Sequence, residues 1–134
     1  MVDRLAKKLK TAEEAVPAPE IRRRNSGSSV GLVALGGTHA AILEACDRLA
    51  ADGIEADYMR IRSFPFGTVV REFLDTHETL FVIEQNRDAQ LRSLLAIETG
   101  IARDRMIPVL DYGGLPLTAD FVTSQVAREL EAHV

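Results

Sequence analysis

The sequence is poor in the residues on which several kinds of functional site depend. Among 134 residues it has one cysteine, three histidines and no tryptophan. Cys46 therefore has no internal disulfide partner, and His39, His77 and His133 are too scattered for a zinc-ligand pattern. No apolar run approaches the ~20 residues of a membrane span, and residues 1–10 lack the apolar centre of a secretion signal. We expect a cytoplasmic protein with no membrane partner.

Positive charge is concentrated at the start of the chain. The formal net charge is −4, but residues 1–29 carry a net +3 and residues 30–134 a net −7. All three lysines lie within the first ten residues. The acidic body argues against a nucleic-acid partner, because binding to phosphates needs a clustered basic face. The run from Arg22 to Arg24 is interpreted as solvated charge.

Residues 1–29 are predicted to be a basic helix followed by a linker. Apolar residues recur at helical spacing over residues 2–15, which predicts a short amphipathic helix. A Val-Pro-Ala-Pro stretch then imposes extended backbone, and the polar run over residues 22–29 is typical of a flexible linker. The globular domain is predicted to span residues 30–134.

From residue 30 onwards, four apolar runs alternate with four amphipathic stretches. The predicted strands are residues 30–35, 54–61, 80–83 and 106–110. The predicted inward faces of the helices are Ile42, Ala45, Cys46 and Leu49; Val69, Val70, Phe73 and Leu74; Leu91, Leu94 and Leu95; and Phe121, Val122, Val126 and Leu130. Thr38, Asn86 and Thr118 are candidate helix caps. This alternation predicts a three-layer, doubly wound α/β fold with a mostly parallel sheet.

The expected strand order is 2-1-3-4. The first and third strands are wholly apolar and should be central neighbours. The second carries Glu55, Asp57 and Arg60, as edge strands do, and Pro108 places the fourth at the other edge or at a bulge. Right-handed crossovers then reverse the winding direction between the first and third strands, and ligands or partners dock at the carboxyl ends of such a pair.

Two polar segments are expected at this crevice. The first consists of Gly36, Gly37, Thr38 and His39. Its free backbone N–H groups suit an anion or a carbonyl, but a tight turn without a ligand explains it better, and it matches no nucleotide-binding fingerprint. The second consists of Glu84, Gln85, Asn86 and Arg87. Polar clusters at a strand end often carry function, and helix capping explains part of this one equally well.

The remaining candidates lie beyond the second and fourth strands. They are Arg62, Phe64, Phe66 and Tyr112, interpreted as a packed corner or as interface residues. Cys46 is interpreted as a core residue, and no Ser or Cys nucleophile stands at a recognisable elbow. Glu84 has no second carboxylate or histidine near it in sequence for an acid–base pair. The residues therefore indicate a polar crevice without a complete catalytic set.

Several of these segments, in this order, resemble the carboxy-terminal domain of the alpha subunit of 2-oxoacid:ferredoxin oxidoreductases, the 2-oxoglutarate type most closely. The segments that carry the resemblance are residues 36–38, 58–66, 84–92 and 111–121. The resemblance covers residues 30–134, and residues 2–21 resemble the charged helix and connector that precede this domain in the family. Gly37 stands where the family commonly has serine.

The resemblance implies a fold like the transketolase carboxy-terminal domain. It also implies membership of an enzyme that uses thiamine diphosphate, magnesium, an iron–sulfur cluster and coenzyme A to decarboxylate a 2-oxoacid oxidatively, with electrons passed to ferredoxin. The chain lacks the Gly-Asp-Gly…Asn pattern that binds magnesium and pyrophosphate in the family's beta subunit, and one cysteine cannot hold a cluster that needs four. We therefore expect no cofactor on this chain and no catalysis by it alone.

The expected role is that of an assembly domain, and the candidate residues named above are expected to lie at an interface with other domains or along the substrate or coenzyme A channel. Its partners would be the remaining alpha-subunit domains and the beta subunit, with ferredoxin reached through the complex, and self-association of the isolated domain is expected where apolar surface is left uncovered. The alternative is a free-standing module that binds a small anion or nucleotide at residues 36–39 and 84–87. A weaker third hypothesis has the basic tail binding an acidic partner.

Overall fold

The computed structural model describes residues 2–24 and 27–132. Its strands are β1 (Glu20–Arg22), β2 (Val30–Leu35), β3 (Ala56–Ile61), β4 (Thr79–Glu84) and β5 (Met106–Leu110). Its α-helices are α1 (Val2–Ala15), α2 (His39–Ala51), α3 (Thr68–Thr76), α4 (Gln90–Thr99) and α5 (Ala119–Ala132). Two single 3₁₀ turns, Gly36–Thr38 and Arg103–Arg105, precede α2 and β5.

The sheet has the order β1-β3-β2-β4-β5. β3, β2, β4 and β5 are parallel, and β1 pairs with β3 in the antiparallel direction. The predicted order of the four parallel strands is confirmed, with β2 and β4 as central neighbours and Ala34 opposite Ile83. Pro108 does lie in an edge strand, opposite Val82 of β4. The fold is therefore the expected α/β arrangement with one added antiparallel strand.

Two helical layers cover the sheet. α2 and α5 pack on one face through Ile42, Leu49, Val122 and Val126, which are fully buried. α3 and α4 pack on the other face, where their buried residues include Val70, Phe73, Leu74, Leu91 and Leu95. The three-layer prediction is confirmed. An amphipathic helix buries its apolar face by packing on an apolar sheet, and here both faces of the sheet are covered in this way. Over the described residues, no helix has both the length and the apolar character that crossing a bilayer demands.

The prediction that the segment 54–61 lies at a sheet edge is wrong. β1 covers that side of β3, with Glu20 opposite Arg60. Of the polar residues that led to this prediction, Arg60 lies opposite Glu20 of β1 and Asp57 contacts the buried His77, while Glu55 precedes β3 and is exposed. Residues 20–22 thus belong to the sheet, although they precede the predicted domain start. The boundary at residue 30 stays a prediction.

Three predicted inward or buried positions are in fact exposed. Val69 and Leu94 are exposed on α3 and α4, and Leu35 is exposed at the end of β2. Thr118 does cap α5, because its hydroxyl accepts a hydrogen bond from the Phe121 N–H at 3.2 Å.

The amino-terminal end of the sheet holds a buried pair, Asp57 and His77. His77 Nε2 lies 2.9 Å from Asp57 Oδ2, and both side chains are almost completely buried. His77 Nδ1 donates to the Phe73 carbonyl oxygen at 2.7 Å. Asp57 Oδ1 accepts from the Arg24 N–H at 3.0 Å. The pair therefore joins β3, α3 and the segment that follows β1.

Candidate functional site

The carboxyl ends of β2 and β4 lie side by side, as the predicted crevice requires. Ala34 is the register partner of Ile83, so the two polar segments leave the sheet next to each other. The loop after β5 joins them, since the Asp111 N–H donates to the Glu84 carbonyl oxygen at 2.9 Å. The sheet topology therefore brings three loops from separate parts of the sequence to one edge.

Glu84 is a buried carboxylate at the amino terminus of α4. Its Oε1 accepts from the Leu91 N–H at 2.5 Å and from the Asn86 amide at 2.9 Å. Its Oε2 accepts from the Arg92 N–H at 3.2 Å. These are first-turn N–H groups without intrahelical partners, where a negative charge is favoured by the helix dipole. The Glu84 carboxylate therefore caps the amino terminus of α4.

Asn86 organises the loop between Glu84 and the helix. Its Oδ1 accepts from the Asp88 and Gln90 N–H groups, both at 3.2 Å. The residue at the N-cap position of α4 is Ala89, with φ of +50°. Asn86 nevertheless caps the helix from the preceding turn, because the Gln90 N–H is the first of α4. Gln85 and Arg87 are left exposed on this fixed loop.

The first polar segment turns most of its side chains away from the crevice. Thr38 is buried with its hydroxyl 3.5 Å from the Leu35 carbonyl oxygen, and it makes no side-chain cap of α2. His39 Nδ1 lies 3.1 Å from the Tyr58 hydroxyl. Gly36, with φ of +79°, and Gly37 have open space where a Cβ would stand. The crevice therefore receives exposed backbone from this segment.

Arg62, Phe64 and Phe66 lie in the loop that follows β3. Arg62 Nε is 3.7 Å from Glu20 Oε1, which ties it to β1. The two phenylalanine rings meet edge to face with centroids 5.4 Å apart. Phe66 packs against the core, and Phe64 is exposed. This pair is therefore both a packed corner and a source of exposed aromatic surface.

Exposed apolar side chains stand at the same end of the sheet. Leu35 is the last residue of β2, Phe64 follows β3, and Tyr112 and Leu115 follow β5. Gln85 and Tyr112 line a cavity of ≈ 360 Å³ with the turn that contains Leu115. Sequence reasoning missed Leu35 and Leu115, because an apolar residue at the end of a run gives no sign of being left uncovered. Aromatic and apolar side chains ringed by polar groups are typical of protein interfaces. We call this set, with Gln85 and Arg87, the carboxyl-edge surface.

Tyr58, whose hydroxyl lies 3.1 Å from His39 Nδ1, has a strongly shifted pKa. Burial raises its pKa from 10 to about 12, and Arg60 opposes that shift. As the pH rises, the unfolded chain loses this proton first. The stabilisation from neutral Tyr58 is therefore complete below about pH 10 and lost between about pH 10 and 12.

We expect the alkaline loss of stability to be shallower in Tyr58→Phe than in the wild type. Urea unfolding measured at intervals from neutral to strongly alkaline pH tests this. Tyr112→Phe is the control, because its ring is exposed, and it should keep the wild-type slope. Equal slopes for Tyr58→Phe and the wild type would contradict the prediction.

Two potentially reactive side chains, Cys46 and Glu84, are engaged in the fold. Within residues 2–24 and 27–132, no three or more His, Cys, Asp or Glu side chains are grouped so that they could hold a metal ion. Cys46 is buried in the core, and burial raises the pKa of its thiol, with Arg24 opposing. A buried thiol of raised pKa is a poor nucleophile. Glu84, the buried acid at the crevice, has both oxygens committed to α4 and its loop.

Comparison with characterised sequences gives two matches that extend over most of the chain. The alpha subunit of 2-oxoacid:ferredoxin oxidoreductase 2 from Aeropyrum pernix is 36% identical over 135 aligned positions, covering 98% of the chain and 21% of that subunit. The alpha subunit of the Saccharolobus solfataricus 2-oxoacid:ferredoxin oxidoreductase is 32% identical over 127 positions, which cover 91% of the chain and 20% of that subunit. The chain spans about one fifth of the curated relatives it matches. No protein-family model matches it.

Solved structures share the fold. A 2-oxoglutarate:ferredoxin oxidoreductase from Magnetococcus marinus, with 2-oxoglutarate, coenzyme A and succinyl-CoA bound, matches 90% of the chain at a TM-score of 0.79 and 26% identity, over 21% of its own length. The alpha chain of a probable 2-oxoacid ferredoxin oxidoreductase from Thermoplasma acidophilum covers 85% of the chain with a TM-score of 0.58 and 23% sequence identity, and the match spans 97% of that alpha chain. A split-gene transketolase covers 84% of the chain with a TM-score of 0.63 and 24% sequence identity, and the match spans 41% of the transketolase chain. The last two show the fold alone.

Proposed function

Since the chain is a homologue of the alpha subunits of 2-oxoacid:ferredoxin oxidoreductases over about a fifth of their length, we propose that it is an assembly domain of such an enzyme. Its partners are the remaining alpha-subunit domains and the beta subunit. The complex decarboxylates a 2-oxoacid, with 2-oxoglutarate as the first candidate, to an acyl-CoA and passes electrons to ferredoxin. The chain works in the cytoplasm, in keeping with its single cysteine.

The residues of this chain do not fit the metal groups of such an enzyme. Cys46 is buried, and a single thiolate cannot hold an iron–sulfur cluster. The described residues offer no group of carboxylates for a magnesium ion. We therefore assign the magnesium ion and the iron–sulfur cluster to other parts of the complex.

The observation that carries the proposal is the carboxyl-edge surface. Leu35, Phe64, Tyr112 and Leu115 are exposed at one end of the sheet although they are large and apolar. The loop that presents Gln85 and Arg87 beside them is held by the Glu84 and Asn86 hydrogen bonds. A preformed, partly apolar surface loses little freedom on binding, which favours docking against another protein domain.

Reconstitution tests the proposal. The chain is mixed with the beta subunit and an alpha subunit from which the corresponding domain has been removed. We expect binding, and a gain in 2-oxoglutarate- or pyruvate-dependent dye reduction in the presence of coenzyme A. Failure to bind, or binding without any gain in dye reduction, would overturn the proposed role.

A matched pair of variants locates the contact. Leu115 on the carboxyl-edge surface and Ile97 on α4 are 77% and 76% exposed, and Ile97 lies in the last turns of α4, away from its crevice end. Leu115→Asp should weaken binding at least about tenfold, as for an apolar interface residue. Ile97→Asp should leave it unchanged. Equal effects of the two substitutions would contradict docking through this surface.

A ligand screen separates assembly from the alternative function. A free-standing module would be stabilised by its ligand with no partner present. We expect no thermal shift of the isolated chain with coenzyme A, nucleotides or 2-oxoacids. A shift that is lost when the segments 36–39 and 84–87 are altered would favour the binding module.

A further inference from the structure

A cavity opens within the carboxyl-edge surface, between the loops that follow β4 and β5. Its volume is ≈ 360 Å³, within the range of about 300–1,000 Å³ that is typical of ligand pockets. It is lined by Gln85, Asp111, Tyr112, Gly114, Leu115 and Pro116. The lining combines a carboxylate and an amide with an aromatic ring and two apolar side chains. A domain that docks on the carboxyl-edge surface therefore covers a mixed polar and apolar cavity.

Asp111 is held in place at this cavity by two hydrogen bonds. Its N–H donates to the Glu84 carbonyl oxygen at 2.9 Å, and its Oδ1 accepts from the Gly113 N–H at 3.4 Å. The residue is half-buried. An ionised carboxylate has about four positions at which it can accept a hydrogen bond. Most of the hydrogen-bonding capacity of this carboxylate is therefore left for a partner.

The charge of Asp111 is not balanced within the described part of the chain. The arginines in the loops after β4 and β3 already have partners, since Arg87 Nε lies 3.3 Å from Asp88 Oδ1 and Arg62 Nε lies 3.7 Å from Glu20 Oε1. Within residues 2–24 and 27–132, Asp111 forms no ion pair. Covering an ionised carboxylate is strongly unfavourable unless a counter-charge is supplied. A domain that docks here therefore has to bring a positive charge to Asp111.

The side chains beside Asp111 favour arginine as the source of that charge. A guanidinium binds a carboxylate through two parallel hydrogen bonds and stacks on aromatic faces, whereas the lysine ammonium is a compact point charge. Tyr112 supplies an aromatic ring and is 62% exposed. The Gln85 amide oxygen is a further acceptor. Leu115 and Pro116 offer apolar surface to the methylene stem of an arginine side chain.

We propose that the domain which docks on the carboxyl-edge surface inserts an arginine side chain into this cavity, with the guanidinium on the Asp111 carboxylate and against the Tyr112 ring. This inference rests on the proposed function and specifies the chemistry of the partner at that surface. The charge pair fixes the register of docking, because other orientations leave both charges covered and unpaired. An acidic partner surface is rejected by the same carboxylate.

Binding to the beta subunit and the shortened alpha subunit tests the charge pair. Asp111→Asn keeps an oxygen for the Gly113 N–H and removes the charge. It should weaken binding about thirtyfold or more, as expected for one partner of a buried charge pair. Asp104→Asn is the matched control and should bind as the wild type does, because Asp104 is exposed and precedes β5, at the opposite end of that strand. Tyr112→Leu, which removes the ring, should weaken binding about threefold.

The outcomes separate this inference from the function on which it rests. A wild-type chain that does not bind at all would count against assembly itself. If the wild type and Asp111→Asn bind equally well, assembly stands and the arginine contact is overturned. Equal losses in Asp111→Asn and Asp104→Asn would also overturn the contact, because the effect would then follow from negative charge in general.

A titration of the isolated full chain tests the cavity without any partner. N-acetyl-arginine methylamide is added to the isotope-labelled chain, and the backbone amide signals are followed by NMR. We expect weak, saturable shifts at residues 85 and 111–115. The uncharged analogue N-acetyl-citrulline methylamide should leave these signals unchanged, and so should the arginine probe added to Asp111→Asn. Equal shifts with the two probes, or no shifts with the arginine probe, would overturn the proposal.

Discussion

Replacing Asp57 with alanine is expected to lower the free energy of unfolding by about 2–3 kcal/mol, the loss typical of leaving buried hydrogen-bonding groups without their partner. The carboxylate accepts from the Arg24 N–H and faces His77 Nε2 at 2.9 Å. The substitution leaves the buried His77 ring nitrogen without its acceptor, and it also removes the acceptor of the Arg24 N–H and the ion-pair partner of Arg23. The largest part of the loss is expected at His77, because its other ring nitrogen is already hydrogen-bonded to the Phe73 carbonyl oxygen.

Asp47→Ala is the matched control for this prediction. The Asp47 side chain forms an ion pair with the Arg24 guanidinium, but the Asp47 side chain is exposed. Exposed pairs contribute about 0–1 kcal/mol, so this variant should unfold near the wild-type urea midpoint. Equilibrium urea unfolding of both variants at neutral pH makes the comparison. If Asp57→Ala and Asp47→Ala have the same midpoint, the buried pair does not stabilise the fold as argued.

Hydrophobic periodicity was sufficient to predict the parallel sheet. Runs such as Val30–Leu35 and the apolar faces of α2 and α5 reflect burial on both sides of a central strand and on one side of a helix. The order of the four parallel strands then followed from chirality. These features are local in sequence or follow from general rules, and so they can be inferred without coordinates.

What escaped prediction depends on contacts between distant segments. β1 has three residues, too few for a periodic signal, and it is held by pairing with β3 some forty positions later. Asp57 in a strand pattern is typical of an edge strand, whereas in the structure it contacts His77, twenty positions away. Gly31 belongs to the same cluster, since a Cβ there would stand 3.0 Å from His77 Cγ and Phe73 Cε1. Period and propensity carry no information about such pairings.

The sequence predicts where the polar loops meet, but it does not predict which of their side chains face solvent. The topology does bring residues 36–39 and 84–87 to one edge. Within them, His39 turns to Tyr58 and Glu84 caps α4, while Leu35 and Leu115 supply exposed surface. Whether a polar group faces solvent or its own backbone depends on loop conformation, and the αL geometry of Ala89 is one such detail.

Glu84→Ala is expected to lower the free energy of unfolding by about 2–3 kcal/mol, because it leaves buried first-turn donors of α4 without an acceptor. The Leu91 and Arg92 N–H groups and the Asn86 amide all donate to this carboxylate. Glu84→Gln should recover little of the loss, since its amide cannot accept from both backbone donors at once. Urea unfolding gives the free energies.

Glu98→Ala separates the role of the cap from a general loss of negative charge. Glu98 is exposed near the other end of α4, and surface substitutions of this kind stay within about 0.5 kcal/mol. Amide hydrogen exchange adds a local readout, because the Leu91 and Arg92 amides should exchange much faster in Glu84→Ala and at the wild-type rate in Glu98→Ala. Unchanged protection at both amides would show that Glu84 does not hold the start of α4. If protection is lost as expected, Gln85 and Arg87 lose their fixed loop as well, and binding through the carboxyl-edge surface should weaken with it.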